Sequence, residues 1–121
     1  MAEAIAVETG DAVIPGPTLA EFEAARETVA PVVDLTPMES SRSLSEVLGS
    51  DVWLKCENLQ RTGSYKIRGA YNRLVHLSDE EKARGVVAAS AGNHAQGVAF
   101  AARELGIRST IFMPVGAALP K

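Results

Sequence analysis

The feature that most constrains this chain lies between residues 86 and 113. Residues 86–89 (V-V-A-A) form a short apolar run, and residues 90–93 (S-A-G-N) are small and turn-forming. Residues 94–105 have strong helical character closed by Gly106, and residues 107–113 are again rich in strand formers, ending at Pro114. Strand, helix and strand at this spacing form a βαβ unit, whose strands are expected to be parallel and its crossover right-handed. Short apolar runs of this kind are used in parallel strands buried on both faces. The fold class is therefore α/β, with a parallel open sheet.

The preceding residues supply punctuation rather than repeats. Residues 1–17 read as a flexible tail, small, acidic and aperiodic, closing on Pro15-Gly16-Pro17. Thr18 and Glu21 have capping-box spacing and open a helix with Leu19, Phe22, Val29 and Ala30 near one face, which Pro31 stops. Residues 32–36 form a short extended piece. Residues 41–48 read as a helix with Gly49 as its C-terminal cap. Residues 51–57 alternate as a strand, with Val52, Leu54 and Cys56 on one face and Trp53 and Lys55 on the other. After a polar loop, Ser64 is placed to cap a helix over residues 65–77 that turns Ile67, Tyr71, Leu74 and Val75 inward. Ser78 with Glu81 starts a short charged helix ending at Gly85.

Composition removes several classes of function. The formal charge of −3 and the pI of about 5.4 provide no basic surface for nucleic acid. Six aromatic residues are too few and too scattered for base stacking. A single cysteine, Cys56, forms neither an internal disulfide nor a thiolate zinc cage. The two histidines, His76 and His94, lack metal-ligand spacing, so no metal site is expected. No apolar run approaches the ~20 residues of a membrane span, and no signal peptide is visible. A cytoplasmic protein is the expectation.

Two places carry chemical potential. The turn S-A-G-N-H, residues 90–94, follows a parallel strand and opens a helix, where open α/β sheets bind ligands. The first N–H groups of a helix have no intrahelical partner, and the macrodipole adds about half a positive charge. An anion suits that position, with Ser90 and Asn93 as side-chain donors and Gly92 admitting a ligand to the backbone. The plainer alternative is an ordinary turn at Gly92 with Asn93 as the cap. Lys66 follows T-G-S at another helix start, where the macrodipole disfavours a cation. That placement suits a nucleophilic lysine, although a solvent-facing lysine fits as well. The acidic run Asp79, Glu80 and Glu81 opens a helix, where acids belong, and is assigned no chemistry.

Taken together, L-K-C-E-N-L-Q-R-T-G-S-Y-K-I-R-G-A-Y-N (residues 54–72) and S-A-G-N-H-A-Q-G (residues 90–97) resemble the fold-type II pyridoxal-phosphate enzymes. Within them the chain is most similar to the serine/threonine dehydratase family, nearest the shorter, catabolic-type threonine dehydratases, with serine racemases as relatives. The resemblance runs from about Thr18 to Lys121, and Tyr65 stands where the family usually has Phe. It implies a tryptophan-synthase-β-like fold, of which residues 18–121 would be the N-terminal part. Residues 18–84 would be a helix–strand–helix segment with the cofactor lysine, and residues 85–121 the start of a small βαβ domain. The family's glycine-rich phosphate cup is expected beyond residue 121.

The resemblance makes Lys66 the catalytic lysine that binds pyridoxal 5′-phosphate covalently and removes the substrate's Cα proton. Asn93 would contact the cofactor's phenolic oxygen, with Tyr65 beside the lysine. Ser90, Ala91, Gly92, Asn93 and His94 would take the substrate's α-carboxylate, which agrees with the anion site read from the residues. Arg61, Thr62 and Gln96 match positions that relatives use for a nucleotide effector. The implied activity is β-elimination of L-threonine, and of L-serine, to a 2-oxo acid and ammonia by a homo-oligomer, a dimer or tetramer. Racemases of this fold carry a serine at the position of Ala91 as a second proton donor. Amino-acid racemisation and a non-catalytic fragment that binds a partner chain or nucleotide are the competing readings.

Overall fold

The computed structural model describes residues 7–9, 12–14 and 16–117. The chain divides into two compact units, Met1–Pro31 and Val32–Lys121. The first holds an antiparallel pair, β1 (Val7–Thr9) and β2 (Ala12–Ile14), and helix α1 (Leu19–Val29). The expected flexible tail thus contains a strand pair where no alternation was read, because three-residue strands leave too short a pattern to detect. Positions 1–6, 10, 11 and 15 of the tail lie outside the described residues. Helix α1 starts as its spacing predicts. Thr18 Oγ1 accepts from the Glu21 N–H, and the Glu21 carboxylate accepts from the Thr18 N–H at 2.6 Å. That bond holds the Glu21 carboxyl below its ordinary range. Leu19 and Phe22 nevertheless remain exposed.

In the second unit, β3 (Met38–Ser40) pairs antiparallel with β4 (Trp53–Lys55), and α2 (Arg42–Leu48) connects them. Ser41 caps α2 and Gly49 ends it in the left-handed conformation. Strand β3 was not read from the sequence, and β4 is shorter than residues 51–57. Both strands are exposed along their length, so the alternation of Val52 and Leu54 does not mark a buried face. Glu57–Leu59 and Arg61–Gly63 follow as single tight turns, leading into α3 (Lys66–Val75) and α4 (Asp79–Arg84). Ser78 and Glu81 form the second capping box. Ser64 does not cap α3; that place falls to Tyr65, whose side chain caps nothing.

The βαβ unit is present. Strand β5 (Val86–Ala89), helix α5 (Asn93–Glu104) and strand β6 (Ser109–Phe112) follow one another, and the strands pair in parallel from Val86↔Ser109 to Ala89↔Phe112. Both strands alternate in burial. Val86, Ala88 and Ile111 pack on the core, while Val87 and Phe112 are exposed. The expectation of strands buried on both faces therefore fails among the described residues: one face carries α5 and the other is open. Helices α3 and α5 pack against each other. Ala70 and Leu74 of α3 meet Val98, Ala101 and Ala102 of α5, with Ile107 closing the cluster. Both helices lie within the unit Val32–Lys121.

Candidate functional site

The packing of α3 on α5 sets Lys66 of α3 and His94 of α5 along one cleft. Lys66 is the first residue of α3 and half-buried, and its Nζ stands 4.9 Å from the centroid of the Tyr65 ring. Among the described residues it makes no ion pair. Lys66, Tyr65 and His94 line one cleft of about 350 Å³, together with Arg68, Arg73 and Val98. A primary amine left without a carboxylate partner beside an aromatic ring suits covalent capture of an aldehyde-bearing cofactor.

The start of α5 is the second element. Gly92 occupies the cap position and no side chain caps the helix. The plainer alternative, Asn93 as an ordinary cap, is thereby corrected: Asn93 is the first helical residue and its side chain is exposed. An uncapped helix start presents free N–H groups to a ligand. Ser90 anchors the turn by donating its N–H to Phe112 O at 3.0 Å, and its hydroxyl accepts from the Gly92 N–H at 3.2 Å. Nothing lies within 4 Å of where a Cβ on Gly92 would stand, so that side of the turn is open. Ser90 and Ala91 line a second cleft of about 400 Å³ at the carboxyl ends of β5 and β6, with Phe112 and Met113. The structure thus joins Lys66, Tyr65 and His94 in one cleft and puts Ser90 and Ala91 in another.

The remaining candidates are more dispersed. Arg61 pairs with Asp34 at 3.3 Å. Thr62 has a φ of 66° and a buried hydroxyl without a partner, an unfavourable conformation for a β-branched residue. Gln96 is half-buried on α5. None of the three lines either cleft described above.

Several supporting residues were missed. Glu57 receives both Nε and Nη2 of Arg68 at 2.8 Å, and the Thr36 hydroxyl at 2.6 Å. The Arg68 bonds hold the Glu57 carboxyl down at about 2, against the effect of burial, and Thr36 adds to them. Arg68 is correspondingly shifted upward by Glu57. Buried Gln60 clamps the backbone of Asp34, accepting from its N–H at 2.9 Å and donating to its carbonyl at 2.8 Å. These partners are 11 and 26 residues apart, so no local spacing announces them. Gly97, inside α5, had a detectable signal, because a glycine in a helix costs about 1 kcal/mol relative to alanine and needs a packing reason. Among the described residues no group of three or more His, Cys, Asp or Glu could hold a metal, and no helix is long and apolar enough to cross a membrane.

Residues 29–121 match the family model described as pyridoxal-phosphate dependent enzyme. The chain is 59% identical over 104 residues to the L-threonine ammonia-lyase of Thermotoga maritima, covering 86% of this chain and 26% of that protein. Among solved structures it is similar to maize serine racemase (TM-score 0.72, 42% identity, 79% of this chain and 30% of that one). It is likewise similar to the processed form of threonine deaminase isoform 2 from Solanum lycopersicum (TM-score 0.68, 40% identity, 85% of this chain and 30% of that one). The chain spans about a quarter of the length of the curated relative it matches.

Proposed function

The chain belongs to the pyridoxal-phosphate dependent enzyme family, and from that premise we propose that it carries the lysine and the carboxylate-binding turn of a threonine ammonia-lyase. The observation that supports the reading most directly is the placement of Lys66, an amine without an ion-pair partner in one cleft with Tyr65 and His94, one wall of which is the uncapped helix α5. Lys66 would hold the cofactor through Nζ, with Tyr65 flanking it and Asn93 at its phenolic oxygen. Bound pyridoxal phosphate supplies an electron sink for the charge that develops at Cα.

The residues of this chain do the rest. The free N–H groups at the start of α5, with the Ser90 to His94 turn, hold the substrate's α-carboxylate and so fix the orientation of its Cα–H bond. Lys66 Nζ, once the substrate's amine has displaced it from the cofactor, would be the free amine that takes the Cα proton. Loss of the β-hydroxyl as water and hydrolysis of the resulting enamine return that water, so L-threonine gives 2-oxobutanoate and ammonia, and L-serine gives pyruvate and ammonia. Racemisation needs a second proton donor on the opposite face. Ala91 would hold that position, and its methyl group carries no transferable proton. Elimination therefore outruns racemisation. We further propose that residues 18–121 form part of one catalytic domain, in a cytoplasmic homo-oligomer.

The decisive experiment is reduction with borohydride in the presence of pyridoxal phosphate, followed by peptide mapping. Label on Lys66 is expected, and label on Lys55 or Lys82 instead would sink the assignment. In the active enzyme, Lys66→Ala abolishes formation of 2-oxo acid. An enzyme carrying this segment that forms D-serine faster than pyruvate would reject elimination as its main reaction.

A further inference from the structure

Helix α5 contains one glycine well inside its length, and that glycine is buried against the first turn of α3. A Cβ on Gly97 would stand 3.1 Å from the carbonyl carbon and oxygen of Lys66 and 3.2 Å from the backbone nitrogen of Ile67. All three distances are shorter than the ~3.5–4.0 Å optimum for non-bonded heavy atoms. The atoms met are backbone, and Ile67 is itself fully buried, so neither side can yield by turning a side chain. The first turn of α3 is otherwise tied through Arg68, which bonds Glu57 at 2.8 Å, while the ties at Lys66 itself are weak. Tyr65 provides no side-chain cap, and Ser64 Oγ accepts from the Lys66 N–H only at 3.4 Å. Gly97 also lies four residues after Asn93, one turn along the same helix face. The contact that seats Lys66 therefore also sets how far Lys66 stands from the start of α5.

We propose that Gly97 is a positioning residue for Lys66: the missing Cβ lets the α5 backbone seat the Lys66–Ile67 peptide and fixes the spacing between the amine and the α5 N-terminus. The inference rests on the reading of Lys66 as the cofactor's lysine. A methyl group at residue 97 forces that peptide to give by a few tenths of an ångström. The helix propensity it adds acts in the opposite sense, toward stability. Effects on stability and on Lys66 reactivity are therefore separable.

The test compares the unaltered protein, Gly97→Ala and Ala102→Gly. Ala102 is buried on the same helix within the core cluster, so its truncation loosens the fold without adding an atom near Lys66. Each protein is treated with pyridoxal phosphate and borohydride across pH 6–10, and the rate of label at Lys66 is read by mass spectrometry. Gly97→Ala is expected to slow labelling at least tenfold and to shift its pH profile. Ala102→Gly is expected to lower the melting temperature while leaving rate and profile within twofold.

Labelling of Gly97→Ala at the unaltered rate and profile, or equal slowing by Ala102→Gly, overturns the inference alone. Label on another lysine in the unaltered protein overturns the reading of Lys66 and the inference with it. Should Gly97→Ala fail to fold, amide hydrogen exchange in the unaltered protein decides. Protection at residues 67–70 close to that of Leu74 supports the seat, and exchange as fast as in exposed α2 overturns it.

Discussion

Replacing Glu57 with glutamine tests how firmly the first turn of α3 is tied to the turn before it. The Glu57 carboxylate accepts both Arg68 nitrogens at 2.8 Å and the Thr36 hydroxyl at 2.6 Å. Glutamine keeps the shape, removes the charge and turns one acceptor into a donor that faces another donor. The side chains are 17% and 33% exposed, Glu57 and Arg68 respectively. That places the pair between surface pairs worth ~0–1 kcal/mol and buried pairs whose breakage costs ~3–5 kcal/mol. We expect a loss of about 1–3 kcal/mol at pH 7.

The pH dependence gives a second, independent readout. The Glu57 carboxyl lies at about 2 in the folded chain, below the ordinary 4.5. A depressed value means that the stabilisation is fully present above about 4.5 and is lost as pH falls toward about 2. The full shift sets a ceiling of about 3 kcal/mol, which solvent contact reduces to about 1–2 kcal/mol. Urea unfolding of both proteins at pH 7, 4 and 2.5 measures the difference. It should shrink steadily with acidification. A gap of the same size at pH 2.5 as at pH 7, or none at pH 7, would refute the ion-pair argument.

Three further outcomes follow from the packing. Gln60→Ala removes the clamp on the Asp34 backbone, two hydrogen bonds made by a buried side chain to an exposed residue; equilibrium unfolding should show a loss of about 1–2 kcal/mol. Gly85 has a φ of 83°, and a Cβ there would lie 2.6 Å from the Arg108 carbonyl oxygen. Gly85→Ala should therefore cost about 3 kcal/mol, read as a lowered melting temperature, and an unchanged melt would contradict this geometry. Ile67→Ala empties a fully buried position and should cost about 2–5 kcal/mol in urea unfolding.

How much of this was legible depended on the distance over which each signal acts. The capping boxes at Thr18 and Ser78, the left-handed stop at Gly49 and the βαβ unit were all readable, since each is set by residues within a turn or by a repeating pattern. Strand β3 was not, because Met38–Ser40 is too short for alternation and exists through pairing with β4. The exposed faces at Val87 and Phe112 look apolar in sequence whether covered or not. Lys66 and the residue 90–94 turn were each visible as local oddities. The bond between Glu57 and Arg68 and the clamp of Gln60 on Asp34 were invisible, since the partners meet only after the chain has folded.

Two weak local signals gain meaning when the fold combines them. An amine at one helix start and an uncapped start on another are each commonplace. Their chemistry depends on the separation between them, and neither segment encodes that separation alone. In this fold α5 meets α3 at Gly97, where a Cβ would stand only 3.1–3.2 Å from backbone. A helix-interior glycine is unfavourable for α5 by itself, so its presence is a mark left on the sequence by a tertiary contact. Such a residue breaks a local rule because a contact with another element outweighs it. Gly97 is thus a position at which the sequence itself records the contact of α5 with the Lys66–Ile67 peptide, as a glycine that the propensity of its own helix does not want.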